Sequence, residues 1–175
     1  LDQQNAIASG ATNIINYRLP LGGAWFPTSG ELDDPFTFDW MLRLPKGMNA
    51  ATSGTLLAFE QQGDFNVLTI KEESPLTFPA IVFGRFAAKE NDPDYSKGEI
   101  KIRIFTHPGF EKLADGFLEE ARGILQYYEA LFGPYPWKEL DLVQMPIGVG
   151  YAQAPSGLVQ MAGETFYSKT ELVNL

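Results

Sequence analysis

From Phe36 to Leu44 the residues Phe36, Phe38, Trp40, Leu42 and Leu44 alternate with Thr37, Asp39, Met41 and Arg43. A period of two sends alternate side chains to opposite faces of a sheet, so the spacing predicts a strand with one buried face. Pro45-Lys46-Gly47 then joins a fixed φ to a flexible residue, the chemistry of a turn. Apolar segments around Thr55 to Glu60 and Phe65 to Ile70, separated by Gly63-Asp64, predict a hairpin, and Ala80 to Arg85 predicts another short strand. The polar stretch Glu90 to Gly98 that follows is either a domain boundary or a hairpin tip.

The pattern changes after Gly98. Ile100, Ile102 and Ile104 alternate with Lys101 and Arg103 in one more strand, and Pro108 sits where a helix would begin. Phe110, Leu113, Phe117, Ala121, Ile124, Leu125, Tyr128 and Leu131 recur at three and four, an apolar stripe able to dock on a sheet. Gly133-Pro134 ends that helix, because glycine accepts a left-handed cap and proline cannot continue the ladder. Leu140 to Met145 and Leu158 to Met161 read as buried strands.

With 175 residues the chain has room for one large domain or two small ones, and two are expected. A hydrophobic share of 45% is that of an ordinary globular protein, and no apolar run is long enough to cross a bilayer as a helix. The formal charge of -9 repels phosphate backbones, and Lys46, Lys71, Lys97, Lys101 and Arg103 are too dispersed to form a basic stripe, so nucleic acid is not an expected partner. With no cysteine the chain carries neither a disulfide framework nor a thiolate metal site, which leaves its compartment open. Its start at Leu1 shows no leader pattern, and Glu171 to Leu175 reads as the interior of an element rather than a tail.

Candidate chemistry is sparse. His107 is the only histidine, and with Glu111 it offers two ligands on one helical turn, whereas zinc needs three or four. His107 is therefore read as a loop or helix-start residue. Ser156 lacks a neighbouring base and reads as a turn residue. Asp92, Asp94 and Glu99 are oxygen donors without the spacing of a helix-loop-helix calcium site. The pairs Asp33-Asp34, Glu72-Glu73 and Glu119-Glu120 read as solvated surface, and Gly148, Gly150 and Gly157 as irregular backbone beside a strand. Trp25, Trp40 and Trp137 suit stacking on sugars if exposed, with core packing the alternative.

Three ordered stretches resemble the zinc metallopeptidase family of membrane alanyl, puromycin-sensitive and leukotriene-hydrolase-type aminopeptidases. Trp25-Phe26-Pro27, Phe36-Thr37-Phe38-Asp39 and Leu44-Pro45-Lys46-Gly47-Met48 resemble its WFP, TFD and PKG sequence. Ala121 to Tyr128, Phe132-Gly133-Pro134-Tyr135-Pro136 and Leu140-Asp141-Leu142-Val143 resemble its YYE, FG-PYP and LDLV pattern. Gly150 to Val159 stands where the family has its GAMEN-type strand. The resemblance implies a mainly β chain with an α+β part, in which residues 1–97 close an amino-terminal β-sandwich and residues 98–175 open a thermolysin-like catalytic domain. It also implies that the HExxH helix and later glutamate lie further along the parent protein. No catalytic or metal-ligating residue is then expected in this chain, zinc is expected only in the parent, and the chain alone is expected to be inactive.

At the third stretch the family carries a glutamate that captures a free amino terminus, and the corresponding residue here is Ala154. Gln153, the nearest polar residue, is neutral and cannot make that ion pair. What the resemblance leaves to this segment is a backbone role, an edge strand pairing with an extended peptide. Tyr151, Ala152, Gln153, Ala154, Pro155, Ser156 and Gly157 are thus the candidate substrate-binding residues. The expected partners are a peptide substrate in the parent and the remaining catalytic domain in cis. The alternatives are a non-catalytic peptide-binding or scaffolding member of the family, and a β-rich carbohydrate-binding module.

Overall fold

The computed structural model of the protein describes residues 16–18, 25–27, 34–148 and 152–173. In chain order these form β1 (Asn16–Arg18), β2 (Phe36–Pro45), β3 (Asn49–Thr52), β4 (Thr55–Gln62), β5 (Phe65–Leu76), β6 (Ile81–Gly84), β7 (Ala87–Glu90) and β8 (Lys101–Thr106). Helix α1 (Ala114–Phe132), β9 (Glu139–Gln144), β10 (Leu158–Met161) and α2 (Gly163–Val173) follow. The fold is mainly β, a sandwich joined to a β/α part.

The sandwich has two antiparallel three-stranded sheets, ordered β1-β6-β3 and β2-β5-β4. As the alternation predicts, β2 turns Phe38 and Leu44 into the core, with Phe36, Trp40 and Leu42 packed against it, and leaves Thr37, Asp39, Met41 and Arg43 exposed. Ala50, Leu68, Ile70, Leu76 and Ile81 complete that core. Gly63 takes φ +60°, the left-handed value a two-residue hairpin loop needs at its first central position, so β4 and β5 pair across it. β5 runs on past Ile70 to Leu76 because its far end pairs with Phe36 of β2.

The second part is a four-stranded sheet, β10-β9-β8-β7, in which β8, β9 and β10 are parallel and β7 is antiparallel to β8. The polar stretch 90–98 is the connection of the β7–β8 hairpin, so strands on both of its sides belong to this sheet. Asn91 ties the loop down, its side chain donating to Ile100 O at 3.1 Å and accepting from Ile102 N at 2.8 Å.

Both faces of the sheet carry cores. Phe105, Val143, Met145 and Leu158 pack with Ala51, Val82 and Phe86 on the sandwich side. Ile102, Ile104 and Leu142 pack with Ala114, Phe117 and Leu118 of α1 and Phe166 of α2 on the other. Burial on both faces explains why these strands read as apolar runs. The helix starts later than Pro108: Phe110 N donates to His107 O in a turn, a 3-10 turn spans Glu111–Leu113, and α1 begins at Ala114. Its end falls at the expected glycine, Gly133, whose φ is +92° and whose N–H donates to Glu129 O at 2.9 Å.

Candidate substrate-facing site

β9 and β10 are parallel, so the chain between them must return along the sheet. Residues 152–157 make the last part of that return. Gln153 pairs with Gln160 as an isolated antiparallel bridge, Gln153 N donating to Gln160 O at 3.1 Å and Gln160 N to Gln153 O at 2.7 Å. The chain then bends through Pro155-Ser156-Gly157, where Leu158 N donates to Pro155 O at 3.0 Å and Gly157 takes φ +75°. Gln153 thus spends both backbone groups on β10, with Ala152 and Ala154 on either side of the bridge. Both alanines are exposed. Among the predicted site residues, the structure thus presents Ala152 and Ala154 outward, half-buries Gln153, Pro155 and Ser156, and buries Gly157. Tyr151, together with Gly150 and Asp33 of the other candidates, lies outside the described residues.

Beside this segment runs an apolar groove of about 560 Å³. One wall is α1, through Ala121, Ile124, Leu125 and Tyr128; the floor is Leu140, Val159 and Met161; and Ala154 to Gly157 with Tyr135 and Trp137 close the end. Ile124, Tyr128 and Leu131 are each more than half exposed there or beside it, and Phe132 is 81% exposed. The Trp137 indole N–H is buried and finds no acceptor among the described residues.

Beneath the segment is a buried ionic cluster. Arg103 on β8 binds Asp141 on β9 in a two-pronged pair, Nε to Oδ1 at 2.7 Å and a terminal nitrogen to Oδ2 at 2.9 Å. Glu139 lies 3.2 Å from Arg103. The remaining capacity of the carboxylates goes to the sandwich: Thr52 N donates to Asp141 at 2.8 Å and Leu56 N to Glu139 at 3.0 Å. Burial raises the Asp141 carboxyl to about 6 against the opposing pull of Arg103. Burial also works against the charge on Arg103, but Asp141 and Glu139 outweigh it and hold the guanidinium above its ordinary value. Burial, then the charges of Asp141 and Glu72, pushes the Tyr135 hydroxyl upward. This cluster welds the two parts together.

The other candidates are scattered. His107 is buried, stacked on Phe86 with ring centroids 5.6 Å apart, and burial lowers it to about 4, so the ring is neutral. Glu111 is exposed and accepts from Gly109 N at 2.9 Å. Asp94 pairs with Lys97, and Glu99 with Arg122 and the Asp94 amide, while Asp92 is exposed. Glu72 is buried and caps Ser74 N, whereas Glu73 is exposed and pairs with Lys71 and Lys138. Asp34, Glu119 and Glu120 are exposed. Gly148 has φ +81° and its N–H donates to Glu164 at 2.7 Å. Trp25 stands edge-on to Trp40, which stacks on Phe38, and Trp137 stands edge-on to Tyr135. Among the described residues no group of three or more His, Asp or Glu is placed to hold a metal ion. These residues therefore do not fit a zinc site, and no chemical step is assigned to a metal held by them. No described helix is long and apolar enough to cross a membrane.

No protein-family model matches the sequence, nor does any curated protein sequence. Solved structures do match, and the fold they share with this chain is that of M1 zinc metallopeptidases. The M1 zinc metallopeptidase of Deinococcus radiodurans aligns with TM-score 0.64 and 20% identity, over 79% of this chain and 32% of its own length. A glutamate-to-alanine mutant of an M1 enzyme from the same organism, bound to a Tyr-Ser-Ala substrate, aligns with TM-score 0.64 and 20% identity over 75% of this chain and 31% of its own. A two-domain M1 zinc metallopeptidase mutant bound to L-arginine aligns with TM-score 0.63 and 18% identity over 80% and 33%. The chain thus spans about a third of the length of the structures it matches.

Proposed function

We propose that this chain is part of a divergent M1-type zinc metallopeptidase, in which residues 152–157 form the edge that receives an extended peptide. The observation that carries the reading is Ala152 and Ala154, exposed on either side of the bridge from Gln153 to β10, in a fold shared with a structure that holds a tripeptide substrate. An extended peptide would add to this edge through main-chain hydrogen bonds, and amides aimed from it at a carbonyl suit a developing oxyanion. In the parent, peptide-bond hydrolysis would depend on zinc ligands supplied outside these residues.

Two further expectations belong to the same proposal. Residues 1–97 and 98–175 are the end of an amino-terminal sandwich and the start of the catalytic domain, with β7 lent by the first part to the sheet of the second. The apolar groove is the seat of the remaining catalytic domain in cis. Its size and the exposed stripe on α1 support that assignment, as does the greater length of the matched structures.

The outcome at Ala154 separates two forms of this reading. A methyl group cannot hold a substrate ammonium, which favours either relaxed specificity or a peptide-binding member without catalysis. Ala154→Glu in the parent protein is expected to shift preference toward peptides with free amino termini. Equal handling of blocked and free peptides by that variant would count against the placement of Ala154 at the substrate's end.

A further inference from the structure

Ser53, in the bend between β3 and β4, is completely buried. Its Oγ accepts from Ala80 N at 3.0 Å and donates to Ser156 O at 2.6 Å. A hydroxyl has one proton to give, so the Ser53 proton is committed to the candidate substrate-facing segment. Gly54 follows with φ +93°, and a Cβ there would lie 3.1 Å from Ile70 Cγ2 and 3.2 Å from Lys71 O. Across from it, a Cβ on Gly157 would lie 3.7 Å from Gly54 N and from the Ser53 Cα. Two left-handed glycine bends therefore meet, one from each part of the molecule, with no side chain between them.

The contact is closed by a second route. Thr52 N donates to Asp141, and Asp141 N donates to Gly157 O at 2.9 Å. Thr52 and Ser53 thus reach Ser156 and Gly157 both directly and through Asp141. Among the described residues, the backbone pairing of residues 152–154 with β10 is the bridge at Gln153. One bridge fixes a point on the segment but not its tilt.

We propose that Ser53 is a positioning residue for the peptide-facing edge: the sandwich bend at residues 52–54, not the four-stranded sheet alone, sets how residues 152–157 lie against β10. This rests on the reading of Ala152 to Ala154 as a peptide-facing edge. The sandwich is then part of the site although none of its described residues lines the groove.

Amide hydrogen exchange on the 175-residue chain tests it. Ser53→Ala is expected to speed exchange at Gln153 and Gln160 by about tenfold beyond any change in the β2–β5 ladder, the worth of one hydrogen bond. Ile70→Val, a small core change, is expected to speed both regions in step. In-step acceleration in Ser53→Ala, or none at Gln153 and Gln160, overturns the proposal. If Ser53→Ala does not fold, Ser53→Cys, which keeps a weak donor of similar size, carries the same comparison with the same two outcomes. A separate titration of the unaltered chain with trialanine reads the peptide assignment itself: shifts at Ala152 and Ala154 support it, and their absence counts against it without altering the exchange result.

Discussion

Phe117 and Leu118, in the first half of α1, are sealed against Ile102 and Ile104 of β8 and Phe166 of α2, with the Phe117 and Phe166 ring centroids 4.4 Å apart. Ile124, Tyr128 and Leu131 continue the same stripe toward the end of the helix, yet each keeps more than half of its surface exposed. The sequence pattern is the same in both halves. What differs is the partner: α2 and β8 cover one half, and the groove beside residues 154–157 lies open along the other. A stripe with a period of 3.6 records that a helix has an apolar face, not which polypeptide segment meets it.

Truncations on the two halves would expose that difference most strongly. Phe117→Ala should cost about 4 kcal/mol in urea unfolding, from lost burial plus the cavity left behind. Asp141→Ala comes next, at about 3 kcal/mol: Arg103 would stay buried without its two-pronged partner, relieved only in part by Glu139 at 3.2 Å. A cost near zero would mean that the weld between the two parts does not contribute to the fold.

His107 gives an effect of similar size that appears only in acid. Its folded value of about 4 lies below the ordinary 6.5, so the stability of the neutral ring is present above pH 6.5 and lost as pH falls through about 4. The full loss is about 3 kcal/mol. The proton linkage of Asp141 runs the other way: with its carboxyl raised to about 6, the share of stability that comes from protonating it is present below the ordinary carboxylate range and lost as pH rises through about 6, while the ionised carboxylate keeps its pair with Arg103. Comparing the unaltered chain with His107→Leu isolates the histidine. Its stability relative to the variant should fall between pH 6.5 and 4, and parallel curves would contradict the burial argument. The smallest effect belongs to the open half of α1, where Phe132→Ala should change stability by no more than about 0.5 kcal/mol.

Much of the sandwich was legible. The alternation of β2 placed Phe38 and Leu44 inside, and Gly63-Asp64 marked the β4–β5 turn, because a half-exposed antiparallel sheet writes its two faces into the sequence. The short strands β3 and β7 left no such signature, since Asn49–Thr52 and Ala87–Glu90 are strands through pairing with β6 and β8 rather than through pattern. Arg103 alternates with isoleucines in β8, yet it is only 5% exposed because both faces of the four-stranded sheet are covered. The available signal was Asp141 between Leu140 and Leu142, a carboxylate in an apolar strand that demands a cation. In the site, the resemblance pointed to residues 151–157, but neither the groove nor the hold of Ser53 on Ser156 could be read, because both join residues far apart in the chain.

The most direct test of the central proposal is to express the parent protein and this chain side by side, and to measure bound zinc and hydrolysis of unblocked peptides. The expected result is stoichiometric zinc and peptide cleavage for the parent, and neither for the 175-residue chain. A parent that binds no zinc and cleaves no peptide would contradict the metallopeptidase reading, and tight zinc on this chain alone would contradict the placement of the ligands outside it.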